Sequence, residues 1–184
     1  MKNGIKTAVI VVVCAALCLG YYYYLSHRDT GEETMTEVEM LISKDLEKSY
    51  PKTAREVVKF YNRILKCYFD QEYSQEQLAQ LAEQARKLMD EELQEINPPD
   101  VYLESVKAEI ASYAADEKAI SDVSVENSKE VEYKTKNGRE CAYVDVAYFL
   151  KNYSGKEKSG RAGQTYILRK DDDGRWKILG FYQE

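Results

Sequence analysis

The period of the hydrophobic pattern changes partway along the chain, and this change constrains the fold more than any other feature. Up to about residue 115, apolar residues recur at helical spacing, as in Val57, Phe60 and Ile64. Beyond about residue 123 they alternate with polar residues, as strands require. The turn sequences Asn137-Gly138 and Asp173-Gly174 favour tight hairpins, because their residues tolerate positive φ. Helices followed by an antiparallel meander predict an α+β fold, with three helices packed on a bent sheet of about four strands.

Capping boxes mark where two of the predicted helices begin. Thr53–Glu56 and Ser74–Gln77 each place a hydroxyl and a longer acceptor where they satisfy free amides of a first helical turn. The second of these helices is predicted to continue to Asn97–Pro99, where proline ends it. A third helix then carries one apolar face, made of Leu103, Val106, Ile110 and Tyr113. A short amphipathic helix around Val38–Leu46 precedes all three.

The alternating half of the chain predicts four strands. They are Val123–Lys136, Glu140–Asn152, Gln164–Lys170 and Trp176–Tyr182. In the second strand, one face is assigned to the core, namely Ala142, Val144, Val146, Tyr148 and Leu150. In the last strand, Trp176, Ile178 and Gly180 are assigned to the inner face, with Gly180 marking a bulge or bend.

An uncharged apolar run, Thr7–Leu25, lies near the N-terminus between basic residues. A helix of that length spans roughly 28 Å, close to the ~30 Å hydrocarbon core of a bilayer. The sequence therefore predicts a transmembrane signal anchor over residues 1–28. Tyrosine is enriched where a span leaves the hydrocarbon. The predicted membrane-interface residues are Tyr21, Tyr22, Tyr23 and Tyr24.

Two alternatives to a retained anchor are a cleaved signal peptide and a lipoprotein signal. Bulky Val13 and Leu17 before the two cysteines argue against lipidation, and the run lacks a good small-x-small cleavage site. Lys2 and Lys6 favour a cytoplasmic N-terminus under the positive-inside rule. We therefore predict a single-pass protein of the cell membrane with its C-terminal domain outside the cytoplasm.

The remaining chain divides into a polar tether with a short amphipathic helix, residues 29–51, and an α+β domain, residues 52–184. The whole chain has a net charge of −6, and the part beyond residue 28 is more acidic still. Nucleic acid and anionic lipid surfaces select basic patches, so neither is an expected partner of this domain. Cys67 and Cys141 are expected to be free buried thiols, with a disulfide as the alternative.

The final strand, Gly174-Arg175-Trp176-Lys177-Ile178, follows an Asp-Gly turn. This motif, on helices followed by a meander, resembles the nuclear-transport-factor-2-like (cystatin-like cone) superfamily over residues 52–184. The resemblance implies a bent sheet that wraps a long helix into a cone. It also implies that any chemistry lies in the cone, where enzymes such as ketosteroid isomerases use Asp and Tyr. The whole chain is also similar to small bacterial membrane-anchored proteins.

Candidate functional residues are few. The single histidine, His27, excludes Ser-His and Cys-His catalysis in the domain and a multi-histidine metal site, and no cofactor is expected. The ligand-pocket candidates are Tyr68, Asp145, Tyr148, Tyr166 and Trp176. An apolar site can hold a carboxyl neutral or tune it as a base. The alternative for Asp145 is that it faces solvent or pairs with Arg169.

A tethered domain without a catalytic constellation predicts a non-catalytic module. Its expected partner is a protein of a cell-envelope assembly or a small ligand. The alternative function is a ketosteroid-isomerase-like enzyme that uses Asp and Tyr in the cone.

Overall fold

The computed structural model describes residues 17–23, 35–153 and 160–183. The chain divides into two units, one ending at Thr34 and one running from Met35 to Glu184. In the first unit, residues 17–23 are helical. The second unit is an α+β domain in which helices precede an antiparallel sheet.

The elements of the domain follow one another without mixing of helices and strands. The helices are α1 (Glu37–Ser43), α2 (Ala54–Asp70), α3 (Gln75–Lys87), α4 (Glu91–Ile96) and α5 (Pro99–Ala115). The strands are β1 (Lys118–Val125), β2 (Glu132–Lys136), β3 (Arg139–Asn152), β4 (Gly160–Lys170) and β5 (Trp176–Gln183). The sequence predicts a short helix, three longer helices and about four strands here, and the described residues of this unit form five helices and five strands.

The predicted transmembrane helix is also corrected. Among the described residues, no helix is both long and apolar enough to cross a bilayer. Tyr21, Tyr22 and Tyr23 lie in the helical residues 17–23. Residues 7–16 and 24–25 of the predicted span, and Tyr24 with them, lie outside the described residues.

Both predicted capping boxes are present and begin the helices where expected. The Thr53 hydroxyl accepts from the Glu56 amide at 3.2 Å, and the Ser74 hydroxyl accepts from the Gln77 amide at 3.1 Å. A third capping box, Thr36 with Glu39, begins α1. Because Val38 and Leu41 of α1 are buried in the same core as α2 and α3, α1 belongs to the compact domain.

The second predicted helix is shorter than expected, because it ends at Lys87 rather than near Pro98. The chain leaves helical geometry at Leu88–Asp90 to pair with the outer edge of β5. The Ile178 amide donates to the Leu88 carbonyl at 2.8 Å, and the Asp90 amide donates to the Ile178 carbonyl at 2.7 Å. These two hydrogen bonds satisfy backbone groups of Ile178 on the edge of β5 that does not pair with β4. Asp90 then caps α4.

The sheet has β3 at its centre. One edge of β3 pairs with β4, which in turn pairs with β5. The other edge is shared, since β1 pairs with its C-terminal half and β2 with its N-terminal half. The predicted strand Val123–Lys136 is therefore two strands, separated by a turn in which the Glu130 amide donates to the Asn127 carbonyl at 2.9 Å.

The two hairpin predictions are confirmed. Asn137 and Gly138 both have positive φ, and Gly174 has φ of 76°. The assigned core face of β3 is buried apart from half-buried Leu150. Trp176 and Ile178 are buried as expected, but a register shift beside Ile167 and Leu168 disturbs the alternation at Gly180. As a result Phe181, not Gly180, shares a face with Tyr166.

Helix α2 lies on the inner face of the sheet and contacts β1, β3 and β5. The predicted apolar stripe of this helix is buried throughout, namely Val57, Phe60, Ile64, Cys67 and Tyr68. Cys67 and Cys141 are both free and buried, as expected. Burial raises the pKa of the Cys67 thiol to about 11, so this thiol is protonated at neutral pH and unreactive.

One buried ion pair ties the helical half to the sheet. Asp90 is 4% exposed, and Arg169 of β4 donates to its two carboxylate oxygens at 3.0 and 2.5 Å. A bidentate pair of this kind holds both groups in a fixed geometry. Arg169 also donates to Glu92 at 2.9 Å.

We expect Asp90→Ala to lower the free energy of unfolding by about 3 kcal/mol, because it leaves a mostly buried guanidinium without its main partner. Glu83→Ala is the matched control, because it removes an exposed pair with Lys87 at 3.2 Å and should cost at most about 0.5 kcal/mol. Urea denaturation followed by far-UV circular dichroism measures both. Equal losses in the two variants would contradict the prediction.

Candidate functional site

A pocket of about 110 Å³ opens between the inner face of the sheet and helices α2 and α5. We call it the tyrosine pocket. Six aromatic side chains line it, namely Tyr61, Phe69, Tyr113, Tyr148, Tyr166 and Phe181. The other lining residues are apolar Leu65, Ile120, Leu150 and Ala162 and polar Glu109, Gln164 and Gln183.

Ordinary helical and strand periodicities bring these side chains together. On α2, Tyr61, Leu65 and Phe69 are spaced four residues apart and share one face. On α5, Glu109 and Tyr113 are also four residues apart. On the sheet, Tyr148 and Leu150 alternate on the core face of β3, and Ala162 of β4 pairs directly with Tyr148.

A chain of hydrogen bonds forms the base of the pocket. The hydroxyls of Tyr148 and Tyr166 lie 2.6 Å apart, and the Tyr148 hydroxyl donates to the Asn62 side-chain oxygen, also at 2.6 Å. The Asn62 amide in turn donates to the Val58 carbonyl at 2.9 Å. Asn62 is 3% exposed, so this network satisfies a polar side chain that is otherwise costly to bury.

The direction of these hydrogen bonds decides what the base of the pocket offers to a ligand. A tyrosine hydroxyl has one hydrogen, and that of Tyr148 is donated to Asn62. Tyr166 must therefore be the donor to Tyr148. Both hydrogens are used within the network, and the capacity left at the base consists of oxygen lone pairs. The two tyrosines present acceptors rather than donors to the pocket.

Burial keeps the phenols of the pocket protonated. It raises the pKa of Tyr148 to about 12 and the pKa of Tyr166 and Tyr61 well above the usual value of a phenol. The neutral form is therefore the one present at physiological pH. Behind Tyr61, the hydroxyl of Tyr102 lies 3.4 Å from that of Tyr61.

Glu109 is the only acidic side chain among the described residues that line the pocket. It is exposed on α5, at the solvent end of the pocket, and Phe181 of the same lining is 54% exposed. Neighbouring side chains still desolvate its carboxylate enough to raise the pKa of Glu109 above its usual value. Glu109 makes no ion pair with any described residue.

Two of the five predicted candidates, Tyr148 and Tyr166, lie together at the base of the pocket. Tyr68 is 3% exposed on α2 and does not line it. Trp176 is buried against the ring of Tyr133, with centroids 5.6 Å apart, and also lies outside the pocket.

Asp145 lies on the opposite face of the sheet. The Thr165 hydroxyl donates to its carboxylate at 2.5 Å, and Thr165 is its register partner on β4. Arg169, the expected alternative partner, pairs with Asp90 instead. The structure therefore does not bring Asp145 together with the pocket tyrosines.

Sequence reasoning missed Asn62, Glu109 and Phe181. Asn62 interrupts the apolar face of α2 four residues after Val58, and a polar residue inside such a face is a usable signal. Glu109 stands four residues before Tyr113, but nothing in that spacing separates it from a solvated charge. Phe181 reaches the pocket only because of the register shift in β5.

Among the described residues, no group of three or more His, Cys, Asp or Glu is arranged to hold a metal ion.

A family model described as a domain of unknown function (DUF6715) matches residues 1–181. The chain belongs to the DUF6715 family. No curated protein matches it. Among solved structures, the chain is similar to the intermembrane space region of the chloroplast protein ARC6, at 14% sequence identity and a TM-score of 0.35. The match covers 76% of this DUF6715 chain and 96% of the ARC6 chain. A likeness at that score carries no argument about the DUF6715 domain.

We expect Tyr148→Phe to destabilise the DUF6715 domain more than Tyr166→Phe. The first variant leaves both the Asn62 oxygen and the Tyr166 hydroxyl without a hydrogen-bond partner, which should lower the free energy of unfolding by about 2 kcal/mol. The second removes only the donor at the end of the network and should lower it by about 1 kcal/mol. Urea denaturation of both variants gives the two values. A loss for Tyr166→Phe as large as that for Tyr148→Phe would contradict the direction assigned to the network.

Proposed function

We propose that this DUF6715 domain is a non-catalytic module that binds a small ligand, or one group of a larger ligand, in the tyrosine pocket. The observation that carries the proposal is a polar network with every hydroxyl hydrogen used, placed at the base of an aromatic pocket that opens to solvent. Binding pockets of this kind combine apolar walls with a few fixed polar groups. The volume is below the ~300 Å³ typical of drug-sized ligands, so the bound group is small.

Core packing alone gives no reason for this network. Phenylalanine at positions 148 and 166 and leucine at position 62 would fill similar space without burying hydroxyls and an amide that need partners. A satisfied network does, however, fix the rotamers of the side chains that form it, and fixed side chains preorganise a site. The rigid base therefore supports a role in recognition.

The sequence resemblance to the nuclear-transport-factor-2-like superfamily supports the same location, since enzymes of that superfamily work within the cone. An isomerase-like role needs donors aimed at a developing oxyanion. The base of the pocket has used its tyrosine hydrogens internally, and Asp145 lies on the other face. Binding without chemistry is therefore the function that this geometry supports best.

A substitution that fills the pocket tests the proposal. Ala162 lines the pocket, and Ala147 lies on the opposite face of the sheet on the neighbouring strand. We expect Ala162→Phe to abolish binding of those small molecules that the full chain selects from a screen, because the new ring occupies the pocket. Ala147→Phe, the matched control, should bind them unchanged. Saturation-transfer NMR measures binding, and circular dichroism confirms that both variants fold.

The proposal fails if the screen yields no small molecule that binds the full chain. It also fails if the selected molecules bind Ala162→Phe as well as they bind the unaltered protein.

A further inference from the structure

The tyrosine pocket has an asymmetric charge. Among the described residues that line it, Glu109 is the one carboxylate and none is basic. The tyrosine hydroxyls at its base present lone pairs, because their hydrogens are used in the network with Asn62. Two amides, Gln164 and Gln183, complete the polar lining. The pocket therefore combines a negative charge at Glu109 with acceptor oxygens at its base.

The close packing of aromatic rings around the pocket also favours a positively charged ligand. The ring centroids of Phe69 and Tyr113 are 4.6 Å apart, and those of Tyr166 and Phe181 are 5.7 Å apart. The electron-rich face of an aromatic ring attracts an organic cation, and clusters of such rings recognise quaternary ammonium groups. A carboxylate at the rim adds an opposite charge to that attraction.

We propose that the tyrosine pocket takes the ammonium group of a small, free organic cation, with Glu109 at the mouth as its counter-charge. This inference rests on the proposed function, because it names the class of ligand for the same pocket.

Other ligand classes fit the pocket less well. An anion would meet the Glu109 carboxylate without a donor from Tyr148 or Tyr166. A neutral apolar group would cover Glu109 and deepen the desolvation of its charge without compensation. That desolvation already raises the pKa of Glu109 in the free protein. A cation would compensate for this desolvation with an opposite charge.

The size of the pocket limits which part of the ligand enters. A volume of about 110 Å³ suits a compact headgroup rather than an extended chain. Any longer substituent must lie beyond the mouth, past Phe181. A phosphate attached there would approach Glu109 on a chain that already carries a net charge of −6, so a free cation is favoured over a phosphorylated headgroup.

Choline and its neutral isostere 3,3-dimethyl-1-butanol are the probes that test this inference, with the full chain titrated by saturation-transfer NMR. We expect choline to bind about tenfold more tightly than the isostere. Phosphocholine, as a third probe, should bind more weakly than choline.

Two variants test which side chains cause the preference for choline over the isostere. Glu109→Gln should reduce choline affinity about tenfold and leave that of the isostere unchanged. Phe181→Leu keeps an apolar side chain at the exposed mouth but removes its ring, so it should weaken choline more than the isostere. Glu104→Gln is the matched control, because it removes the same charge from α5 at a residue that pairs with Lys107 outside the pocket.

Equal affinities for choline and the isostere would overturn the cation inference while leaving a small-ligand pocket in place. So would a loss of choline binding in Glu104→Gln as large as that in Glu109→Gln. Phosphocholine that binds as tightly as choline would overturn the assignment to a free cation. If neither choline nor its isostere binds, the inference fails, and the Ala162→Phe comparison on other ligands decides the proposed function separately.

Discussion

The pairing of β3 with three other strands is the constraint on which the rest of the domain depends. This strand is long enough for β1 and β2 to share one of its edges while β4 pairs with Cys141–Leu150 along the other. Its inner face is apolar at Ala142, Val144 and Val146, and α2 packs on that face. Toward the C-terminal end of β3 the same face carries Tyr148, so the strand that organises the core also supplies the base of the pocket.

The position of Tyr148 on this inner face explains why burying polar groups at the base of the pocket costs little free energy. A hydroxyl at position 148 would be an isolated buried donor if β3 faced only aliphatic side chains. Asn62 lies opposite on α2, and Tyr166 lies beside it on β4. The three side chains come from three different elements, so the network also fixes the position of α2 relative to the two central strands.

Local signals predicted the parts of this fold that depend on local physics. Thr53, Ser74, Asn137-Gly138 and Gly174 each mark a helix start or a turn, because the groups involved are close in sequence. The misplaced boundaries have a different origin. Leu88–Asp90 leaves the helix to pair with β5, and only a contact far along the chain shows this. Likewise, Tyr148 and Tyr166 line the pocket from neighbouring strands, whereas Glu109 lines it through the placement of α5, which no local signal predicts.

The register shift in β5 determines which of its residues line the pocket. In an uninterrupted strand, alternation from Ile178 would place Gly180 on the inner face and Phe181 on the outer one. The extra residue opposite Ile167 and Leu168 reverses this, so that Phe181 meets Tyr166. Glycine at position 180 suits such an irregularity, because it has no side chain to misplace. One extra residue in β5 thus brings the Phe181 ring against Tyr166, where it lines the pocket.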